Sequence, residues 1–490
     1  MGDSNLKAKT VSGVMWTALE RFSTLVIQAV VGLVIAHFVS PEEFGLVGII
    51  TIFITICQVL VDSGFCSALI RKQDATDVDY STVFYFNQVV SLVLYALAFL
   101  ASPLVASFYG IGRLELVSKV AFLVLPLSAL SLIQNAHLQK QMNFNALSKI
   151  GVSSVFLSAV VGLSLAVVMR NVWALVFQNL TYNLVRSLLL WAKSRWRPKW
   201  VFSAESLRQI LPLSMSLMTS TLIGAVFDNL YGLVIGKMMN AHQLGLYSQA
   251  DRLRRIPTYS VTDVVSKVAF PALSKLQDDD ERMRIAYAKI IQTTFYVLLP
   301  IMVYLSCEAE HVIGFLLPDE WLPCAFYFSV LCIVGALYPL HLINLNILIV
   351  KDKGKRYFWL EVTRKTLLTL ILIVSVSYGM KGILFGQLVY SFIVLFLNMY
   401  FSGNVIGYTV RRQWIDLLPI VFCALCICPV AYFIGKLSIS HLATLLLVLM
   451  AGGIVYWGLS IWFKLKPYKE LQTIIITKLN ETRNKRNAEA

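Results

Sequence analysis

Residues 31–46 read VGLVIAHFVSPEEFGL, and residues 231–246 read YGLVIGKMMNAHQLGL. The two align without a gap at an offset of 200. Gly32, Leu33, Val34, Ile35, Gly45 and Leu46 recur as Gly232, Leu233, Val234, Ile235, Gly245 and Leu246. Leu, Val and Ile are common throughout this chain, so the two glycine pairs carry most of the weight. Each copy closes one apolar run and opens the next. A bilayer is crossed by a helix of about 20 apolar residues, and fourteen such runs are present. They lie at 13–39, 43–69, 82–108, 115–136, 146–169, 172–192, 208–235, 243–268, 285–306, 323–349, 359–378, 380–401, 414–435 and 441–463. Six spans separate the copies, an even number, so both halves share one topology and the repeat is parallel, its pseudo-two-fold along the membrane normal.

The fold expected from this is an all-α integral membrane protein of about 14 transmembrane helices. Residues 1–192 form one six-helix lobe and residues 208–401 a second, around a central cavity. A cytoplasmic interfacial linker at 193–207 joins them. Two extra helices at 402–463 and a basic cytoplasmic tail at 464–490 complete the chain. The linker mixes Lys193, Arg195, Arg197 and Lys199 with Trp196 and Trp200, next to Trp191, a combination that suits the lipid headgroup layer.

Composition supports the membrane reading. Of 490 residues, 58% are hydrophobic and 14% charged, and the mean hydropathy is +0.71. A soluble domain carries roughly 25% charged residues, and a disordered chain needs low hydrophobicity with high charge. The net charge of +15 is explained by orientation rather than by nucleic acid. With the N-terminus inside, and with residues near a span's end counted with the adjoining segment, 31 of the 42 Lys and Arg fall on inside segments, 6 on outside segments and 5 deeper within spans. That is the positive-inside pattern, and it places both termini in the cytoplasm. The first apolar run lacks a small-residue cleavage site and reads as a span rather than a signal peptide.

No chemistry-bearing motif emerges. The largest outside loop, Glu308 to Leu322, is short, and nothing resembles a phosphate-cradling glycine loop, a zinc signature or a nucleophile elbow. The expectation is no enzyme, no catalytic residue, no cofactor and no metal. Of the eight cysteines, Cys423, Cys426 and Cys428 have cluster-like spacing but no His or acid in their run, so they read as small packing residues. Cys307 and Cys324 sit near a membrane end, where a disulfide between them is conceivable. The sequon Asn480-Glu481-Thr482 falls in the inside tail and is set aside.

The informative charges are those inside spans, where each costs about 2.5–3.5 kcal/mol at a helix centre and normally faces a bundle interior or a wet cavity. They concentrate in the four spans made equivalent by the repeat. Span 1 holds Glu20 and Arg21, span 2 Asp62, and span 7 Asp228. Span 8 holds Asp251, Arg252, Arg254, Arg255 and Asp263. Arg252 lies roughly 13 Å into span 8, close to mid-bilayer. Asp251 and Arg255 are spaced i, i+4 and can pair, and one carboxylate cannot balance three guanidiniums. Pro257 follows and is expected to kink the helix. Guanidinium forks suit phosphate and diphosphate oxygens, so Arg21, Arg252, Arg254 and Arg255 are the candidate substrate ligands. Interhelical ion pairing is the competing reading. Glu20, Asp62, Asp228, Asp251 and Asp263 are candidate gate, ion-pair or coupling residues.

Several short runs carry a family resemblance: Ser12-Gly13-Val14-Met15-Trp16, Ser40 to Leu46 (SPEEFGL), Asp62-Ser63-Gly64-Phe65, Ala68-Leu69-Ile70, and Asp79 to Phe84 (DYSTVF) with Asn87. Arg252 to Thr258 (RLRRIPT) and Phe270 to Ser274 (FPALS) continue it in the second half. The chain resembles the polysaccharide flippases, the Wzx and colanic-acid exporter-like branch of the multidrug/oligosaccharidyl-lipid/polysaccharide exporter superfamily. The resemblance implies a fourteen-helix, two-lobed, MATE-like flippase of the bacterial inner membrane working by alternating access. Its substrate would be an undecaprenyl-diphosphate-linked oligosaccharide for lipopolysaccharide O-antigen, capsule or exopolysaccharide. It also implies a monomer that meets membrane lipids and polysaccharide polymerase or assembly proteins, not nucleic acid. Related flippases place arginines of their first and eighth helices toward the diphosphate, the helices that carry Arg21 and Arg252/Arg255 here. The rival within the superfamily is a cation-coupled multidrug exporter.

Overall fold

The computed structural model describes residues 3–437, 439–470 and 472–473, and among them every regular element is a helix. The sequon at 480–482 and the end of the basic tail lie outside the described residues. The chain folds as two compact units, Met1–Ser248 and Gln249–Ala490. The first contains α1 (Asp3–Ile35), α2 (Pro41–Asp62), α3 (Phe65–Arg71), α4 (Asp77–Tyr109) and α5 (Arg113–Ala121). It continues with α6 (Val124–Lys140), α7 (Phe144–Met169), α8 (Val172–Lys193), α9 (Ala204–Asp228), α10 (Leu230–Met238) and the first two turns of α11 (Ala241–Ser274). The rest of α11 belongs to the second unit. There follow α12 (Asp280–Cys307), α13 (Ala309–Leu316), a 3-10 turn at Asp319–Trp321, α14 (Cys324–Val350), α15 (Gly354–Val376), α16 (Gly379–Ile406), α17 (Val410–Leu425), α18 (Ile427–Gly435) and α19 (His441–Trp462).

Every expected span falls on a helix or on a pair of successive helices. Eleven segments are long and apolar enough to cross a membrane. The expected spans at 172–192, 243–268 and 359–378 fall on α8, α11 and α15, which are not among these eleven. Apolar side chains cover the outside of these helices. On α4, Leu100 is 72% and Leu104 70% exposed. A water-soluble protein rarely leaves patches of this kind uncovered, and a helix in lipid meets its own backbone hydrogen bonds internally. The chain is a multi-pass membrane protein.

Four expected spans are divided between two helices: 115–136 into α5 and α6, 414–435 into α17 and α18, and spans 2 and 7. Span 2 divides into α2 and α3 at Ser63 and Gly64, both left-handed, with φ of 45° and 69°. Gly64 is needed twice over. A Cβ would strain its backbone, and it would lie 2.9 Å from the Ser214 carbonyl oxygen and from Leu217 Cβ on α9. Span 7 divides into α9 and α10 at Asn229. α11 is helical throughout, Pro257 included.

The repeat is where the first unit closes on itself. A methyl on Gly45 would overlap the Ala241 carbonyl, with the carbonyl carbon 2.5 Å away. A methyl on Gly245 would overlap the Pro41 carbonyl, with its carbon at 2.7 Å. Positions 41 and 241 are themselves equivalent at the offset of 200. The two copies of the motif therefore meet in a reciprocal crossing of α2 and α11, backbone against backbone.

The DYSTVF run acts as a clasp. Thr76 and Asp79 form a capping box at the start of α4. Asp79 also takes Lys72 at 2.8 Å and the Ser206 hydroxyl. Ser81 Oγ accepts the Lys199 amide at 3.1 Å and Thr82 Oγ1 the Ser203 amide at 3.0 Å. Lys199 Nζ pairs with Asp77 at 2.6 Å. Tyr80 and Phe84 pack against Trp196, which is 6% exposed within a core that also holds Phe65, Leu69, Ile133 and Ile210. Trp196 thus differs from the interfacial placement expected of it, because aromatic side chains of α4 offer it a dry site. Trp200 remains 94% exposed, with its ring stacked on Tyr85. Asp79→Ala strands Lys72, Ser206 and the Thr76 amide together, and is expected to destabilise the protein by about 2–4 kcal/mol. A lowered unfolding midpoint of the detergent-extracted protein checks this, with Asp79→Asn intermediate because it keeps part of the cap.

In the second unit α12, α14 and α16 share a polar core. Tyr287 Oη donates to Asn344 Oδ1 at 2.5 Å, and Ser402 donates to the same oxygen. His341 lies between Ser391 and Asn398, each 3.1 Å from one ring nitrogen. The last helices pack on α12. The Tyr304 hydroxyl donates to the Leu445 carbonyl at 2.9 Å and the Tyr456 hydroxyl to the Tyr296 carbonyl at 2.8 Å.

Candidate functional site

Asp251, Arg254 and Arg255 of α11 form one cluster in the second unit. Asp251 faces two guanidiniums: Arg254 Nη2 donates to Oδ1, and Arg255 Nε donates to Oδ2 at 2.6 Å. Spacings of three and four residues bring all three onto one face of the helix. Arg254 is 8% exposed. Its burial has a local cause on α14. Gly335 has no side chain, and a Cβ there would lie 2.7 Å from Thr258 Oγ1 and 2.9 Å from Arg254 Cγ. The stem of Arg254 nests in that space. Arg255 is held more loosely, its side chain 46% exposed. It donates from Nη1 to the Tyr259 hydroxyl at 3.2 Å and lies over the Tyr259 ring at 5.6 Å. Tyr259 in turn meets the edge of Tyr338 at 5.4 Å. Arg252 is exposed.

One carboxylate thus serves two guanidiniums, and a third stands beside them. The arrangement leaves excess positive charge on two exposed arginines, while a buried ion pair fixes the helix beneath them. Guanidinium forks on such a surface can pair with the oxygens of a phosphate or diphosphate. The sequence pointed to the four charges. It did not single out Gly335 or Tyr259, whose roles depend on which helices are neighbours.

The other candidates lie in the first unit, apart from Asp263. Glu20 packs at the α1–α7 contact. Its Oε2 is 3.4 Å from Ser148 Oγ, and Gly151 leaves the room it occupies. Arg186 of α8 is close enough to act on the Glu20 carboxylate while donating to the Tyr182 hydroxyl at 2.7 Å. Arg21, the next residue on α1, is exposed. Asp62 ends α2 at the break, and its carboxylate accepts the Cys66 amide in the first turn of α3, where a helix N-terminus favours negative charge. Its Oδ1 is buried without a hydrogen-bond partner. Asp228 ends α9 at the other break. Asp228 is exposed and Asp263 half-buried, and both are engaged by neighbours. Two of the expected acids therefore mark helix breaks. The signal was present as Asp-Ser-Gly and Asp-Asn, short polar residues that favour helix ends.

A family model described as "Polysaccharide biosynthesis protein" matches residues 34–326. The teichuronic acid biosynthesis protein TuaB of Bacillus subtilis strain 168 is 25% identical over 378 residues, 76% of this chain and 78% of its own length. The lipopolysaccharide biosynthesis protein WzxC of Escherichia coli strain K12 is 24% identical over 450 residues, 90% of each chain. Among solved structures the fold is similar to that of the lipid II flippase MurJ in an inward closed conformation. The TM-score is 0.72 at 18% identity, covering 93% of this chain and 99% of that one.

Proposed function

The chain belongs to the polysaccharide biosynthesis protein family, and from that membership we propose that it is a flippase. Its substrate is an undecaprenyl-diphosphate-linked oligosaccharide, the precursor of an O-antigen, capsule or exopolysaccharide, which it carries across the bacterial inner membrane. It is a transporter rather than an enzyme. The observation that carries this reading is the α11 cluster, where Asp251 pairs with Arg254 and Arg255 and a third guanidinium, Arg252, is exposed nearby on the same helix.

In the proposed mechanism Arg252 and Arg255 grip the diphosphate, and Arg21 is a further phosphate ligand. Arg254 and Asp251 hold the helix that presents them. Six-helix lobes at 1–192 and 208–401 work by alternating access, with both termini cytoplasmic and the lipid tail left in the bilayer. Glu20, Asp62, Asp228 and Asp263 serve gating or coupling, the two acids at helix breaks being placed where backbone can rearrange. The reciprocal crossing at Gly45 and Gly245 seals the outer ends of α2 and α11. The protein acts as a monomer and hands its product to polymerase or assembly proteins. A cation-coupled drug exporter would favour acidic and aromatic surroundings for its substrate, which an excess of arginine opposes.

Purified protein in vesicles with a labelled lipid-linked oligosaccharide tests the reading. The label should become accessible on the opposite face with no new glycosidic bond. Absence of translocation, together with drug sensitivity in a deletion strain, would favour the drug exporter instead.

A further inference from the structure

We propose that Cys307 and Cys428 form a disulfide that ties α12 to α18. Cys307 is the last residue of α12, and Cys428 the second of α18. Their sulfurs lie 3.1 Å apart, about 1 Å beyond the length of a disulfide bond. The pairing differs from the one the sequence suggested. Cys324 is fully buried, whereas Cys307 is exposed and Cys428 half-buried.

The location favours oxidation. Cys307 precedes the Glu308–Leu322 loop, and α18 leads to Lys436, two segments that the Lys and Arg bias assigns to the outer face. Disulfides persist on that side of a bacterial membrane and are reduced on the other. The electrons go to a disulfide-carrying thiol oxidoreductase at the outer face. The Cys307 thiolate attacks the donor disulfide and forms a mixed disulfide, releasing one donor thiolate. The Cys428 thiolate then attacks the Cys307 sulfur and displaces the second. The two cysteine protons pass to the donor, which leaves as a dithiol. The link closes a loop that contains α13 to α17, so α18 and the helices packed on it are held to α12. It stands on sulfur geometry and orientation, whatever substrate crosses.

The test uses the full chain in its own cells. Thiols are blocked with a membrane-permeant maleimide in denaturant, then the protein is reduced and tagged with a second, heavier maleimide. The expected result is the second tag on Cys307 and Cys428, the first tag on the other six, and a Cys307–Cys428 linked peptide in the unreduced digest. Cys307→Ser should put the first tag on Cys428, and reductant should lower the unfolding midpoint of the wild type but not of this variant. The first tag on both residues in wild-type protein overturns the proposal. So does a link from either one to a different cysteine.

Discussion

Alanine at Gly45 or Gly245 is expected to cut surface-polysaccharide export by about 5- to 150-fold while leaving the amount of protein in the membrane unchanged. The added methyl meets a backbone carbonyl in each case, and a carbonyl cannot rotate aside as a side chain can. The helices must separate. Overpacking of this kind costs about 1–3 kcal/mol, and the cost falls on the state in which α2 and α11 cross. A transporter that must return to that state loses population in proportion. A second readout separates this from misfolding. Leu244 is 1% exposed in the same segment of α11, and Leu244→Cys should be protected from a membrane-impermeant thiol reagent in the parent and labelled once either glycine carries a methyl. Normal export with Leu244→Cys still protected would remove the crossing from the mechanism.

The Arg252→Ala, Arg255→Ala double variant is expected to lose export by about a hundredfold or more and to remain in the membrane. Hydrogen bonds to charged groups contribute about 1.5–3 kcal/mol each, and each 1.4 kcal/mol is a factor of ten. Lysine at both positions keeps the charge but not the fork, and should recover part of the activity. Arg254→Ala should behave differently. Its guanidinium is buried against Asp251, so its loss should appear first as lower thermal stability. Full polysaccharide production by the double alanine variant would exclude these arginines as ligands.

Much of the architecture could be read from the sequence, for definite reasons. Helix positions follow from apolar length, and a bilayer enforces that signal more strictly than water does. The repeat was visible because Gly45 and Gly245 are replaceable by nothing larger. The pairing of Asp251 with Arg255 followed from helical spacing alone. What was not legible depends on neighbours distant in sequence. Gly335 decides that Arg254 is buried, and it lies 81 positions away on α14. Trp196 looked interfacial because of the basic residues around it, yet Tyr80 and Phe84 draw it into the core. Cys307 meets Cys428 rather than Cys324 because α18 packs on α12. The breaks at Ser63–Gly64 and Asn229 were hidden by hydropathy, which averages over the few polar residues that end a helix.

The clasp on α4 also decides where the chain can bend. The longest non-helical stretch among the described residues of the first unit is Ser194–Ser203. By sequence it is the linker between two long helices, mixing basic and aromatic residues. A hinge needs backbone free to turn, and this backbone is fixed at Lys199 and Ser203 by Ser81 and Thr82, with Trp196 anchored between them. The interruptions inside the spans of this unit lie elsewhere, at Ser63–Gly64, at Phe122–Leu123 and at Asn229, the first and last each preceded by an aspartate.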